Sequence, residues 1–149
     1  MRHYAASMRL IVAIAAIALV LAAGAQAAPP NACKLLTKAE VFRLLGSDVT
    51  TQSSRIGSTS SCVWTGASGA HFGLVSLDVT EGVQKAAFEY NSAATPGSVV
   101  LHGVGQMAFR IQSVLWVYSG RYRLKLASVR IPSAVTVETR MAKLAVKRL

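Results

Sequence analysis

The sequence predicts an α+β domain: an antiparallel β-sheet in the order α-β-β-β-α-β-β-β-α, with the helices packed on the sheet. Three observations carry this. Residues 71–80 alternate, with Val75, Leu77 and Val79 on one side and Ser76, Asp78 and Thr80 on the other, the period-two pattern of a half-buried antiparallel strand. Residues 111–118 and 121–130 flank Ser119-Gly120, a two-residue hairpin signal. Helical signals occur at three separated points, so helices interrupt runs of strands, which is the α+β arrangement.

Each element has its own justification. Thr37-Lys38-Ala39-Glu40 is a capping box, in which the threonine hydroxyl and the glutamate side chain satisfy each other's backbone N–H groups. Val41, Leu44 and Leu45 follow at helical spacing and Gly46 supplies a left-handed stop, so a helix is expected over 38–45. A strand is expected over 49–54 and a turn of small polar residues over 57–60. The strand 61–65 carries Cys62 and, two residues on and therefore on the same face, Trp64. A second helix is expected over 82–94, with Val83, Ala86, Ala87 and Tyr90 at i, i+3, i+4 and i+7, ended by Thr95-Pro96-Gly97. The apolar run 99–101 is broken by Gly103 and Gly105 and precedes the hairpin. A closing helix over 133–149 places Val137, Met141, Leu144 and Ala145 on one stripe, with Arg140, Lys143 and Lys147 off it.

The chain divides into a leader and one domain. Residues 1–27 read as a secretory signal: Arg2 and Arg9 come first, 10–23 is free of charge, and Ala25-Gln26-Ala27 offers a small-x-small cleavage site. An uncleaved anchor is the alternative, but the apolar run is short of the roughly 20 residues a span needs. A lipid anchor would need a cysteine directly after that run, and Cys33 stands too late. Residues 28–149 then form a single exported domain, secreted or periplasmic, with no stable membrane span after cleavage. Its two cysteines, Cys33 and Cys62, are expected to be bonded in an oxidising compartment rather than catalytic, since neither C-x-x-C nor a nearby histidine supports a redox or nucleophilic role. Two cysteines also exclude a four-cysteine zinc cage. With 52% hydrophobic and 15% charged residues, the chain is not intrinsically disordered.

The charge is lopsided. Without the leader, fourteen Lys and Arg face six Asp and Glu, a net +8. Residues 28–101 balance, five against five, whereas 102–149 carry nine basic residues against Glu138 alone. Such asymmetry draws anionic partners and also aids solubility.

Several short motifs together resemble a known group. They are Cys33-Lys-Leu-Leu-Thr-Lys-Ala-Glu-Val41 with Leu45-Gly46, then Cys62-Val-Trp64, then Gly103-Val-Gly105 leading to Ala108-Phe109, a hairpin and a closing helix. This pattern is similar to small exported bacterial domains of unknown function, nearest the DUF3558-like group, with lipoproteins and sensor domains of Mog1/PsbP-like fold. The resemblance implies a secreted α+β domain with a Cys33–Cys62 disulfide and brings no established activity. The sequence departs from the group in lacking a lipobox cysteine and in having Gln106 where an acidic residue is frequent.

Four features could carry chemistry. Gly103-Val104-Gly105-Gln106-Met107-Ala108 fits G-x-G-x-x-A, but a strand follows where a nucleotide fingerprint needs a helix, and Arg121 and Arg123 stand where an acidic ribose ligand belongs. A glycine turn is the expected reading. His71 and His102, with Asp78, Glu81 and Glu89, show no metal or triad spacing. In the strand 121–130, Arg121, Arg123 and Lys125 alternate with Tyr122, Leu124 and Leu126, so three cations share one face about 7 Å apart. That stripe is either a solvated face or an anion site, strengthened if Trp116 or Tyr118 shares the face. The basic residues of the closing helix, Arg148 among them, are accounted for by its dipole.

The expectation is an exported non-catalytic binding module whose basic sheet and helix meet an anionic cell-envelope component or an acidic protein partner. No cofactor, metal or specific nucleic acid is expected. The alternatives are a small periplasmic enzyme using His71 or His102 with a carboxylate, or a protein-interaction or inhibitor domain. Oligomeric state has no signal in the sequence.

Overall fold

A computed structural model describes residues 28–46, 48–68, 71–131 and 133–149. The leader expected over 1–27 lies outside the described residues. The chain runs through a 3-10 turn (Ala32–Lys34), α1 (Lys38–Leu45), β1 (Val49–Ile56), β2 (Thr59–Ser68), β3 (His71–Glu81), α2 (Lys85–Ala94), β4 (Val99–Leu101), β5 (Met107–Ile111), β6 (Val114–Ser119), β7 (Tyr122–Val129) and α3 (Ala134–Val146). All seven strands form one sheet in the order β1-β2-β3-β7-β6-β5-β4, and every pairing is antiparallel. The α+β class and the succession of helix, strands, helix, strands, helix are those the sequence predicts.

The second strand run holds one more strand than expected. Residues 107–118 fold as two strands, with Gln112 taking φ 52° at the turn between them. No Gly or Pro marks that turn, so it has no punctuation in the sequence.

The sheet buries one face under α1, α3 and the 3-10 turn. Cys62 and Trp64 of β2, Val75, Leu77 and Val79 of β3, Leu115 and Val117 of β6, and Leu124 and Leu126 of β7 meet Val137, Met141, Ala142 and Ala145 of α3 there. The period-two alternation of each strand supplies that face, and the 3.6-residue stripe of α3 covers it. Cys33 is bonded to Cys62, with Cα atoms 5.0 Å apart, which ties the 3-10 turn to β2 beside Trp64.

Local chemistry fixes the helix ends. Thr37 Oγ1 accepts from Glu40 N–H, Glu40 Oε2 accepts from Thr37 N–H, and Gly46 closes α1 at φ 70°. Arg148, just past α3, donates to both Glu40 oxygens and to the Leu35 carbonyl. It therefore clamps α1 to α3, where the sequence suggests only dipole compensation.

Helix α2 lies on the other face and differs most from expectation. It begins at Lys85, because Gly82 takes φ 79°, and its buried residues are Phe88 and Ser92. Ala86, Ala87 and Tyr90 are exposed. Alanines cannot bury much surface, so the one large side chain that reaches the sheet, Phe88, sets the rotation of the helix. Phe88 packs on Phe109 and Tyr118, with ring centroids 4.9 and 5.6 Å away.

Candidate site: a basic and aromatic strip beside a small cavity

The register of β6, β7 and β3 builds the strip. Trp116 stands opposite Lys125, Tyr118 opposite Arg123, and Lys125 opposite Asp78. Since Leu124 and Leu126 point into the core, Arg123 and Lys125 project from the other face, which α2 only partly covers. Trp116 shares that face. The Arg123 guanidinium carbon lies 5.2 Å from the Trp116 ring centroid and the Lys125 ammonium 5.6 Å from it. Two cations thus share one indole, whose negative face attracts both.

The three predicted cations have different surroundings. Arg121 sits in the turn before β7, where Nη2 is 2.6 Å from Glu81 Oε1 and the guanidinium lies over the Tyr122 ring. The Tyr122 hydroxyl and the Glu81 carboxylate raise its pKa above the ordinary arginine value. Lys125 Nζ is 4.0 Å from Asp78 Oδ2, a loose pair. Arg123 donates to Thr80 Oγ1 at 3.4 Å and has no carboxylate partner among the described residues. So Arg123 and Lys125 come together around Trp116, and Arg121 belongs to a separate ion pair.

Arg123 also lines a half-open cavity of about 180 Å³ between α2 and the sheet. Phe88, Phe109, Ile111 and Trp116 form its apolar wall and Asn91 stands on the helix side. The Phe109 and Trp116 rings are stacked within 14° at 6.3 Å. Sequence reading did not find Phe88, Asn91 or Phe109. The available signal is that Phe88 is the largest side chain of the 82–94 segment without a polar atom.

The other candidates separate. Four inter-strand steps divide β3 from β4, about 19 Å across the sheet. His71 starts β3 at one end of the sheet, while His102 follows β4 at the opposite end. They do not converge. His102 borders a second cavity of about 280 Å³ on the far side of Phe88, whose lining contains no carboxylate. No group of three metal-binding side chains occurs among the described residues. Among the same residues, no helix is long and apolar enough to cross a membrane.

The G-x-G turn is explained by its backbone. Gly103 and Gly105 take φ 74° and 60°, and a Cβ on Gly105 would lie 2.7 Å from the Tyr118 carbonyl oxygen. Gln106 N–H donates to that carbonyl, and the Gln106 side chain accepts from Gly120 N–H. The turn therefore braces the β6–β7 hairpin from which the strip projects. Arg140, Lys143 and Lys147 are exposed on α3, which packs against the core face, so the basic helix and the basic strand lie on opposite sides of the sheet.

Compared with known protein families, with curated proteins and with solved structures, the chain gives no match to any. The likeness to the DUF3558-like group rests on the short motifs quoted above.

Proposed function

We propose that this protein is an exported, non-catalytic binding module that engages an anionic cell-envelope component or an acidic protein surface through Arg123, Lys125 and Trp116. One observation carries the reading: the two cations share the Trp116 ring on the sheet face opposite the main core, and Arg123 lacks a carboxylate partner among the described residues. Guanidinium forks suit carboxylate and phosphate oxygens, and the neighbouring indole adds a flat apolar surface. The Cys33–Cys62 bond supports export to an oxidising compartment. The basic face of α3 is not part of this surface, because it points the other way.

The test is binding of lipoteichoic acid and of poly-glutamate at increasing salt. Attraction should fall steeply as the Debye length shortens from about 10 Å at 0.1 M to about 3 Å at 1 M. An Arg123→Ser, Lys125→Ser double variant should lose most of the binding and keep its melting temperature. Unchanged binding by a folded double variant would make the strip a solvated face.

A further inference from the structure

We infer that the cavity between α2 and the sheet is a binding site for a compact amphiphilic monoanion, a carboxylate carried on an apolar body the size of a single ring. This deepens the preceding reading and rests on it in one respect: Arg123 is the cation that meets the anion.

Size and lining set the apolar part of the ligand. The cavity holds about 180 Å³, walled by Phe88, Phe109, Ile111 and Trp116. An apolar protein cavity of about 150 Å³ is large enough to take up benzene. Phe109 and Trp116, near-parallel with ring centroids 6.3 Å apart, line the sheet side, and Phe88 is shared with the second cavity.

Charge sets the polar part. Among the described residues, Arg123 is the one charged residue of the lining. Its guanidinium has five N–H donors, of which one reaches Thr80 at 3.4 Å and none reaches a carboxylate among the described residues. Of its neighbours, Arg121 is paired with Glu81 at 2.6 Å and Lys125 loosely with Asp78 at 4.0 Å, and neither lines this cavity. A single unmatched fork at the rim of an aromatic cavity is complementary to one carboxylate, which it can hold by two parallel bonds. The larger cavity beyond Phe88 has neither Lys nor Arg in its lining and offers no such anchor.

Nitrogen-resolved NMR of the oxidised protein, titrated with phenylacetate and separately with its neutral amide, tests this. Phenylacetate should shift the Trp116 indole and Arg123 side-chain N–H signals saturably, and the amide should bind at least tenfold more weakly. Arg123→Gln should erase the preference for acid over amide. Arg123→Lys, which keeps charge but not the fork, gives an independent reading if the glutamine variant folds poorly. Asn91→Trp, at an exposed helical position on the rim, should block phenylacetate and leave poly-glutamate binding intact, whereas Lys125→Ser should do the reverse. Equal binding of acid and amide, absence of shifts at Trp116 and Arg123 at millimolar ligand, or unchanged phenylacetate binding by Asn91→Trp would each overturn the site. Phenylacetate binding without poly-glutamate binding would uphold the cavity and remove only the polyanion reading.

Discussion

Replacing Arg110 by methionine should be among the most damaging single changes outside the apolar core. Arg110 of β5 and Ser128 of β7 reach one carboxylate, Glu138 of α3, whose side chain is 0% exposed. Each Glu138 oxygen has one donor, Ser128 Oγ on Oε1 and Arg110 Nη2 on Oε2. Arg110→Met strands a buried carboxylate with a single hydroxyl, a defect that costs about 3–5 kcal/mol. A domain of this size is stable by roughly 6–18 kcal/mol in total, and the loss corresponds to a fall in melting temperature of about 10–20 °C. The Arg110→Met, Glu138→Leu double variant should recover most of it, because no buried charge is left. The pair is also imperfect: Arg110 Nε is buried without a partner. Differential scanning calorimetry of the wild type, both single variants and the double variant gives the coupling directly. A single-variant loss under about 1 kcal/mol, or a double variant as unstable as Arg110→Met, would refute the reasoning.

Three further outcomes follow from contacts described above. The Arg148 guanidinium, together with the Thr37 N–H, holds the Glu40 carboxyl at about 2 instead of 4.5; a folded pKa below the unfolded one gives stability that is complete above about 4.5 and lost as pH falls toward 2. Glu40→Gln should therefore flatten the acid limb of melting temperature against pH in that window. Cys33→Ser opens a loop with a sequence separation of 29 and should lower stability by about 3–4 kcal/mol in the chain-entropy model, read by thermal melting, with the linked pair seen in non-reducing peptide maps of the wild type. Gly105→Ala should cost about 2 kcal/mol or more, since the new methyl meets the Tyr118 carbonyl in a left-handed conformation, whereas Gly103→Ala, with open space around it, should cost only about 1 kcal/mol in urea titration.

What could be read from the sequence was whatever is encoded by neighbours along the chain. The Thr37–Glu40 capping box, the Gly46 stop and the alternation of Val75, Leu77 and Val79 are local devices, and each recurs in the fold as expected. Strand character after the G-x-G turn is legible, but the division into β5 and β6 is not, because Gln112 makes the turn at positive φ without glycine or proline. The rotation of α2 departs from the sequence pattern because four residues at helical spacing, two of them alanine, carry less weight than Phe88, whose partners Phe109 and Tyr118 are distant in sequence. The strip was half legible: the parity of Arg123 and Lys125 follows from period two, but the indole between them depends on the β6–β7 register. The loss of Arg121 to Glu81 depends on where β3 ends beside the hairpin.

The single anchoring of α2 has a consequence for how the molecule breathes. Trp64, Leu77, Leu124 and Met141 belong to one packed body with α1 and α3, while α2 rests on the small cluster of Phe88, Phe109 and Tyr118 across the sheet. Lifting α2 exposes Phe88 and uncovers Phe109 and Tyr118 beneath it, about 1.5–3 kcal/mol for each side chain fully uncovered, and leaves the larger body closed. Amide hydrogens of α2 should accordingly exchange with solvent far ahead of those in β3 and β7, which wait for global opening. The helix wall of the Trp116 cavity is thus easier to displace than the body formed by α1, α3 and the core face of the sheet, and entry to that cavity can follow a local fluctuation that leaves the larger body packed.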